Sequence, residues 1–453
     1  METELETKRD YDLIVIGTGN AGMAMSLKAR HAGWRVAITD ELPYGGTCAV
    51  KGCIPKKVLV GAAEVIERAN SMKNNGISGD LRIVWPDLIR FKRTFTDPVP
   101  LTKKETFAKE GIDTFHDHAR FVGRNTLQIG DKTMSTRFIG IATGAVPKRL
   151  GIPGEEYVST SDDFLAMESL PERIIFIGGG FISFELAHVA AKAGAKVTIL
   201  HRSGMVLKEF DPFLVDILMQ TMGTSGMKIF TDMPVTSVEK SADAIHVHAG
   251  KVGENVFEAD MVVHGAGRVP NLAGLDLNAG GVAVDERGIV TNQYLQSISN
   301  PSVYVAGDAN ARGKPLSPVA AMEGRAAARN MIQGNNIEPN YTAVPSVVFV
   351  VPLLASVGLR EDQVAKQNIT VVVHKKETPD WYSVRRIGMA SSGYKILTEE
   401  KSGRIIGAHL LGYNADEMIN VFALAIKSGL TLEDLQDKAW AYPTGVSDIN
   451  RIR

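Results

Sequence analysis

The two cysteines of this 453-residue chain, Cys48 and Cys53, are the residues whose spacing is most informative about chemistry. Four residues separate them within the segment 45–57. In a regular helix, a rise of about 1.5 Å per residue would hold their Cα atoms too far apart for a disulfide bond. A bridge therefore requires a distorted turn, which Gly52 and Pro55 permit. Because so small a ring removes little denatured-state entropy, it would be a weak structural staple.

The charge around the cysteines favours a redox pair. Three nearby lysines, Lys51, Lys56 and Lys57, favour the thiolate over the thiol. The alternative is a pair of buried thiols in a cytosolic protein. Two cysteines alone cannot complete a cysteine-rich zinc site, so we expect no metal centre.

Residues 11–40 show the pattern of a dinucleotide-binding βαβ unit. A strand, Tyr11–Ile16, leads into Gly17-Thr18-Gly19-Asn20-Ala21-Gly22, then a helical pattern (Met23–Ala32) and a second strand (Arg35–Thr39) ending at Asp40. The glycines allow the turn and the approach of a pyrophosphate to the helix N-terminus, and the acid can bind a ribose hydroxyl. A glycine motif alone can be a structural turn, but the combination indicates dinucleotide binding.

The same pattern recurs in the middle of the chain. The strand Arg173–Ile177 precedes Gly178-Gly179-Gly180-Phe181-Ile182-Ser183, a helix to Ala193 and a further strand, Lys196–Leu200. Two nucleotide folds in one chain imply two cofactors, or one cofactor and a degenerate copy.

The second fold carries cations where the first carries an acid. His201 stands at the acid position, followed by Arg202, with Lys208 further on. A carboxylate there favours the free 2′-hydroxyl of NAD, whereas cations suit the 2′-phosphate of NADP. We therefore predict NADPH rather than NADH, the alternative being a solvated basic loop.

Net charge, the apolar runs and the cysteine count limit the partners and the cellular compartment that the sequence allows. Fifty basic and fifty-one acidic residues give a net charge of −1, which provides no field for nucleic acid or an anionic membrane. The most apolar run, near 347–359, is too short to span a bilayer and contains Pro352. Two cysteines fit a reducing compartment, so we expect a cytoplasmic protein. The length of 453 residues predicts two to four domains.

The run 45–57 closely resembles the redox-active disulfide of the flavoprotein disulfide reductases, the family of glutathione reductase, lipoamide dehydrogenase and mercuric reductase. By this resemblance Cys53 lies against the flavin as the charge-transfer thiolate, and Cys48 exchanges with substrate. Three further segments resemble the family's domain crossovers and flavin-binding strand: 141–145, 265–271 and 303–308.

The resemblance implies cofactor sites. Glu185 is expected to pair with a lysine near flavin N5, either Lys56 or Lys57, and the ring of Phe181 to gate the nicotinamide pocket. The implied FAD site comprises Gly17, Gly19, Asn20, Ala21, Gly22, Asp40, Gly46, Thr47, Thr143, Gly144 and Asp308. The implied NADPH site comprises Gly178, Gly180, Phe181, Ile182, Glu185, Arg202, Lys208 and Gly267.

The fold implied is α/β, with two Rossmann-like domains and a C-terminal α+β domain. We predict an FAD domain over 1–153 and 271–338, an NAD(P)H domain over 154–270 and an interface domain over 339–453. From Asn340 the pattern indicates strands and then two helices, Ala415–Ser428 and Leu432–Lys438. The resemblance makes this a homodimer with an active site shared between subunits, while an independent α+β domain is the alternative.

The chain departs from the family near its C-terminus. Where dimeric reductases carry a His-Pro-Thr stretch with a glutamate five residues after the His, this chain has Tyr442 and Ser447, with Asp448 one step late. Imidazole titrates near pH 6.5 and a phenol near 10, so an unperturbed tyrosine is a poor base at neutral pH. We also predict a cis bond before Pro443. Mercuric reductases resemble this chain in having a tyrosine there but also carry a C-terminal cysteine pair.

Two functions follow from these observations. The first is NADPH-linked reduction, through FAD and Cys48–Cys53, of a small disulfide or thiol-bound substrate. The second is NAD(P)H-dependent electron transfer to a non-disulfide acceptor, such as mercuric ion or a quinone. Glutathione itself is disfavoured, since Pro98 and Pro100 interrupt the region where glutathione reductases place a substrate-contacting helix.

Overall fold

The computed structural model describes residues 9–224 and 226–453, and its architecture is α/β, as the sequence predicts. Its strands, in chain order, are β1 Tyr11–Ile16, β2 Val36–Thr39, β3 Asp113–Phe115, β4 Ala119–Gly123, β5 Thr126–Ile129, β6 Lys132–Ile141, β7 Ala145–Pro147, β8 Arg173–Ile177, β9 Lys196–Leu200, β10 Lys228–Phe230, β11 Val235–Lys240, β12 Ile245–Ala249, β13 Asn255–Ala259, β14 Met261–His264, β15 Arg268–Pro270, β16 Val284–Asp285, β17 Gly288–Ile289, β18 Val303–Val305, β19 Ser346–Val348, β20 Leu353–Gly358, β21 Val371–Glu377, β22 Gly393–Glu399 and β23 Ile405–Gly412.

The helices, in chain order, are α1 Asn20–Arg30, α2 Gly46–Lys51, α3 Cys53–Ser71, α4 Trp85–Thr96, α5 Val99–Lys109, α6 Ser161–Ala166, α7 Phe181–Lys192, α8 Pro212–Thr224, α9 Ser317–Gln333, α10 Glu361–Lys366, α11 Tyr382–Arg385, α12 Ala415–Ser428 and α13 Leu432–Gln436. Short 3₁₀ helices lie at Glu155–Tyr157, Gly307–Ala309 and Val446–Arg451. None of the described helices combines the length and the apolar character that crossing a bilayer requires.

The chain divides into two compact units. The first comprises the residues up to Pro55 together with Arg93–Lys148 and Arg268–Tyr341. The second comprises Lys56–Lys92, Arg149–Gly267 and Thr342–Arg453. This partition places Arg149–Gly267 and Thr342–Arg453 in one unit, so the finer division into three domains stays a prediction.

A parallel sheet in the order β3-β2-β1-β6 organises the first unit, with β18 pairing along the other side of β6. Buried apolar residues of β1 and β2 form its core. Helix α1 packs against α9, and a Cβ added at Gly324 would lie 2.3 Å from the carbonyl oxygen of Ala21, so this approach requires glycine. Because α1 begins at Asn20, inside the glycine motif, the helix starts three residues earlier than predicted.

The second unit contains the other nucleotide fold, a parallel sheet in the order β10-β9-β8-β14. An antiparallel ribbon, β11-β12-β13, packs against it through Val238 and Val247. As in the first unit, the strands end at a glycine loop, which is where open α/β sheets bind nucleotides.

The C-terminal part of the second unit is the predicted α+β arrangement. An antiparallel sheet in the order β19-β20-β23-β22-β21 packs against α12, whose bounds match the prediction. The sequence predicts strands at 346–351, 369–374, 394–398 and 405–411 and misses β20, which lies within the continuous apolar run near 347–359. In the first unit, Pro98 precedes α5 and Pro100 lies in its first turn, so the predicted interruption between α4 and α5 is confirmed.

Candidate active site

The cysteines lie on either side of a break between two helices. Helix α2 ends at Lys51, and Gly52 has a non-helical backbone with ψ of −112°. A Cβ on Gly52 would lie 2.8 Å from the carbonyl oxygen of Thr47, so the break depends on glycine. Cys53 then begins α3. The distorted turn predicted from the sequence is confirmed.

The two cysteine side chains are close enough to interact. Cys48 is half-buried and donates a hydrogen bond to Cys53, which is exposed. That hydrogen bond and, after it, burial raise the pKa of the Cys48 thiol well above its usual value. The nearby lysines are not among the causes of this shift, so their effect on the thiols stays a prediction.

Ser317 is a neighbour of the cysteines that sequence reasoning missed. Its hydroxyl lies 3.3 Å from the Cys53 sulfur and opposes the upward shift in the pKa of Cys48. Ser317 is the first residue of α9, and a helix N-terminus stabilises negative charge. A serine before Pro318 is a helix-start signal, but nothing in the sequence links it to residues 264 positions away.

Glu185 and Lys56 form a buried ion pair in the second unit. Their charged atoms are 2.8 Å apart, and the main-chain N–H of Phe349 also donates to Glu185, at 2.9 Å. Burial raises the pKa of the Glu185 carboxyl, and the Lys56 charge opposes this shift. Lys57 pairs with Glu64 instead. The structure thus answers which of the two lysines pairs with Glu185.

Phe349 is a second residue that the sequence did not indicate. The ammonium groups of Lys56 and Lys57 lie 4.1 and 4.4 Å from the centroid of its ring. Both distances are within cation–π range, so the ring stabilises two neighbouring like charges. Phe349 directly follows β19, and its contacts arise only from the pairing of distant segments.

The first glycine loop has the geometry of a phosphate cradle. Gly17 has φ of +103°, and a Cβ there would lie 2.3 Å from the carbonyl oxygen of Ala142. Gly46 also has positive φ, and its Cβ would lie 2.6 Å from the Cα of Gly19. Asp40 accepts hydrogen bonds from the N–H and the hydroxyl of Thr18, at 2.8 and 2.7 Å. Oδ2 accepts both of these bonds and Oδ1 accepts from the N–H of Leu42, at 3.0 Å, so Oδ1 retains capacity to accept from a ribose hydroxyl.

Polar groups in the first unit are consistent with FAD. The hydroxyl of Thr143 is buried and has no hydrogen-bond partner among the described residues. Asp308 is half-buried, and burial raises the pKa of its carboxyl while the charge of Arg268 opposes the shift. A polyhydroxylated chain would supply the hydrogen bonds that these two groups lack. The residues therefore fit the implied cofactor, although their roles stay predictions.

The second glycine loop repeats the cradle. Gly178 has φ of +115°, and its Cβ would lie 2.3 Å from the carbonyl oxygen of Gly265. Gly180 precedes α7, whose first residue, Phe181, is exposed, and Ile182 follows it. Gly267 also has positive φ, at +114°. The predicted NADPH residues of this loop lie together at the carboxyl edge of the parallel sheet.

Arg202 and Lys208 lie on the loop after β9, and both are exposed. Neither forms a salt bridge with another residue in 9–224 or 226–453. Two uncompensated cations at the ribose-binding end of a nucleotide fold suit a phosphate. The side chain of His201 does not point to solvent but contacts the glycine loop itself.

The C-terminal segment has Tyr442 and Ser447 at the positions where the resemblance places the family's His and Glu. The Tyr442 side chain is 76% exposed, and the Tyr442–Pro443 bond is cis as predicted. Ser447 donates its hydroxyl hydrogen to the carbonyl of Thr444. Asp448 is buried and accepts a hydrogen bond from Ser383. No carboxylate among the described residues of this segment is thus placed to orient Tyr442. The described residues also contain no cluster of three or more His, Cys, Asp or Glu arranged to hold a metal ion.

Comparisons with known proteins agree with this geometry. Residues 11–324 match the family model described as pyridine nucleotide-disulphide oxidoreductase, and residues 344–451 match that family's dimerisation domain. The chain is 33% identical to mercuric reductase of Bacillus cereus, over 97% of this chain and 70% of that protein. It is 31% identical to glutathione reductase of Burkholderia cepacia, over 98% and 99% of the two chains.

A solved structure shares the whole fold. The HOCl-induced flavoprotein disulfide reductase RclA from Escherichia coli superimposes with a TM-score of 0.87 at 25% identity, covering 98% of this chain and 99% of that one. A Cu(II) complex of a variant of the same protein gives a TM-score of 0.88.

Proposed function

The chain belongs to the pyridine nucleotide-disulphide oxidoreductases, and from this premise we propose that it passes electrons from NADPH to a thiophilic metal ion through Cys48 and Cys53. FAD, when bound, supplies the two-electron redox chemistry between the nicotinamide and the cysteine pair. Reduction of a small disulfide is the second candidate, favoured by the intact pair and by the likeness to glutathione reductase.

The observation that carries the choice of acceptor is that the C-terminal segment has Tyr442 and no imidazole, together with a cysteine pair in which the hydrogen bond to Cys53 and burial raise the pKa of Cys48. Thiol–disulfide exchange requires the thiol to lose its proton, and a raised pKa disfavours that loss. A disulfide substrate does nothing to remove that proton. A soft metal ion does, because coordination deprotonates the thiol outright.

The electrons and protons of the proposed metal-ion reduction balance. Two thiols bind a divalent ion and release two protons, as metal–sulfur bonds form. One NADPH provides two electrons, which reduce one mercuric ion to the metal or two cupric ions to cuprous ions, with release of one proton. Mercuric reductase is among the similar proteins, and a Cu(II) complex is known for the solved neighbour's variant, which supports this class of substrate.

We assign the lysine near the flavin to Lys56. Support comes from its buried pairing with Glu185 and from the separate pairing of Lys57 with Glu64. We further propose a homodimer, because the C-terminal residues match the dimerisation domain and Tyr442 exposes most of its side chain. By family resemblance, that tyrosine faces the cysteines of the other subunit.

The test is NADPH oxidation by the FAD-loaded enzyme with mercuric ion, cupric ion, glutathione disulfide, cystine and menadione, each against an enzyme-free blank. We expect the metal ions to be the best acceptors and Cys48→Ser to lower their turnover by more than about a hundredfold. Menadione reduction should survive that substitution if it occurs at the flavin. Tyr442→Phe should change metal-ion turnover by less than tenfold, well below the 10²–10⁴ that a general acid–base residue contributes.

Two outcomes would contradict the proposal. If disulfides were the best acceptors and Tyr442→Phe abolished their reduction, the phenol would carry the proton and the second candidate would replace the first. If metal-ion reduction were unaffected by Cys48→Ser, the cysteine pair would not be the electron carrier.

A further inference from the structure

The imidazole of His201 lies on the second glycine loop. The main-chain N–H of Gly179 donates to Nδ1 of His201, at 2.9 Å. Since Nδ1 accepts, the neutral ring carries its proton on Nε2, which lies 3.0 Å from the carbonyl oxygen of Met205 and 3.0 Å from the hydroxyl of Ser203. Both ring nitrogens therefore have partners within the protein.

This contact is one reason why the middle one of the three consecutive glycines, Gly179, carries no side chain; Cγ1 of Val206 is the other, also at 2.7 Å. A Cβ on Gly179 would lie 2.7 Å from Cγ of His201, so the ring packs where a side chain at position 179 would be. The glycine motif itself leaves that position open to any residue. Glycine 179 and histidine 201 are thus a matched pair that the sequence pattern does not require.

The same glycine also anchors the basic loop. The N–H of Leu207 donates to the carbonyl of Gly179, at 2.8 Å, and Leu207 has φ of +46°. The His201 imidazole attaches the first end of the basic loop to Gly179, and the N–H of Leu207 attaches the other end to the same glycine. The exposed cation Arg202 directly follows His201, and the exposed cation Lys208 directly follows Leu207.

The first nucleotide fold shows what His201 replaces. There Asp40 accepts from the N–H of Thr18, the residue equivalent to Gly179, and its carboxylate still has lone pairs for a ribose hydroxyl. His201 satisfies the equivalent N–H but has no acceptor left after doing so. A ribose with a free 2′-hydroxyl therefore finds no acceptor on this side chain, and a 2′-phosphate meets no negative charge.

We propose that His201 is a positioning residue for coenzyme selection, which excludes a free 2′-hydroxyl and holds Arg202 and Lys208 where a 2′-phosphate is bound. The inference rests on the proposed use of NADPH. It goes further in assigning selectivity to a neutral side chain that need not touch the phosphate itself.

The experiment measures binding of 2′,5′-ADP and 5′-AMP to the FAD-loaded protein by calorimetry, which requires no knowledge of the electron acceptor. The variants are His201→Leu, which removes the acceptor, His201→Asn, whose side-chain oxygen can accept from Gly179, and His201→Glu, which restores an acid. His246→Leu is the matched control, because His246 lies on β12 of the same unit, away from the loop.

We expect wild type and His246→Leu to prefer 2′,5′-ADP by about a hundredfold, as two charge-assisted contacts imply. His201→Leu should weaken 2′,5′-ADP binding about tenfold, because the Gly179 N–H loses its partner. His201→Asn should restore it to within about threefold, and His201→Glu should reverse the preference.

The results distinguish a failure of the proposed NADPH use from a failure of the proposed role of His201. If wild type did not prefer 2′,5′-ADP, the proposed use of NADPH would be wrong. If wild type did prefer it but His201→Leu kept the same ratio of affinities, the positioning role of His201 would be wrong while NADPH use stood. Equal failure of the Asn and Leu variants would also overturn the hydrogen-bond argument.

Discussion

The two nucleotide folds share the backbone geometry of the glycine loop and differ in several of its side chains. In both, a glycine with positive φ lies against the carbonyl of the returning strand, and a Cβ at Gly17 or Gly178 would lie 2.3 Å from that oxygen. The acid that follows the second strand of the first fold is replaced by a histidine in the second. The backbone therefore gives both loops the same glycine turn, and which nucleotide each loop binds stays a prediction.

The two folds also differ at the third glycine position of the motif. A Cβ at Gly22 would lie 1.9 Å from the carbonyl oxygen of Gly17, so the first fold tolerates no side chain there. The second fold has Ser183 at this position, and its hydroxyl is accommodated because Gly265 has no side chain. Helix and strand approach closely in both folds, but the missing side chain is on opposite partners.

The largest expected effect comes from giving the first fold the serine that the second fold has at the third glycine position. Gly22→Ser should force the loop apart, because overpacking a close main-chain contact costs about 1–3 kcal/mol or more. We expect at least a tenfold fall in bound FAD, measured as the ratio of flavin to protein absorbance. Ser183→Gly is the matched control and should leave flavin content unchanged. Normal flavin content in Gly22→Ser would show that the first loop is not the constrained one.

A smaller effect tests the charges of the second fold. Arg202→Ala should lower kcat/KM for NADPH by about 10–100-fold and leave NADH within about twofold, since one charge-assisted contact to phosphate is lost. Lys251→Ala, which removes an exposed cation elsewhere in the same unit, is the control. An equal loss with both coenzymes would mean that the loop contributes to folding rather than to selection.

The smallest effect concerns the acid of the first fold. Asp40→Asn keeps an oxygen that can accept from Thr18 but removes the charge, and charge-assisted hydrogen bonds are only about twice as strong as neutral ones. We expect FAD to bind less than tenfold more weakly, measured by flavin fluorescence released on dilution. A loss above a hundredfold would show that the negative charge itself, rather than the hydrogen-bond geometry, holds the first loop.

Local patterns predicted much of this molecule. The βαβ units, the glycine turns, the break at Gly52 and the helix Ala415–Ser428 are confirmed, because each depends on residues close together in the chain. The family assignment is confirmed for the same reason, since its motifs are contiguous. The division into three domains and the roles of individual site residues stay predictions.

Contacts between distant segments were beyond such reasoning. Ser317 lies beside Cys53 and Phe349 beside Glu185 because sheet pairing and helix packing bring those segments together. The pKa of Cys48 is another case, since the hydrogen bond to Cys53 and burial raise it.

The sequence by itself determined where the chain turns, which edge of each sheet carries a glycine loop and which two residues can form a disulfide. These follow from backbone freedom at glycine and from side-chain chemistry, which are local properties. Only the tertiary structure decided that Lys56 rather than Lys57 pairs with Glu185, and that His201 closes onto Gly179. Those choices depend on which side chains burial brings within hydrogen-bond distance, and no local pattern encodes that distance.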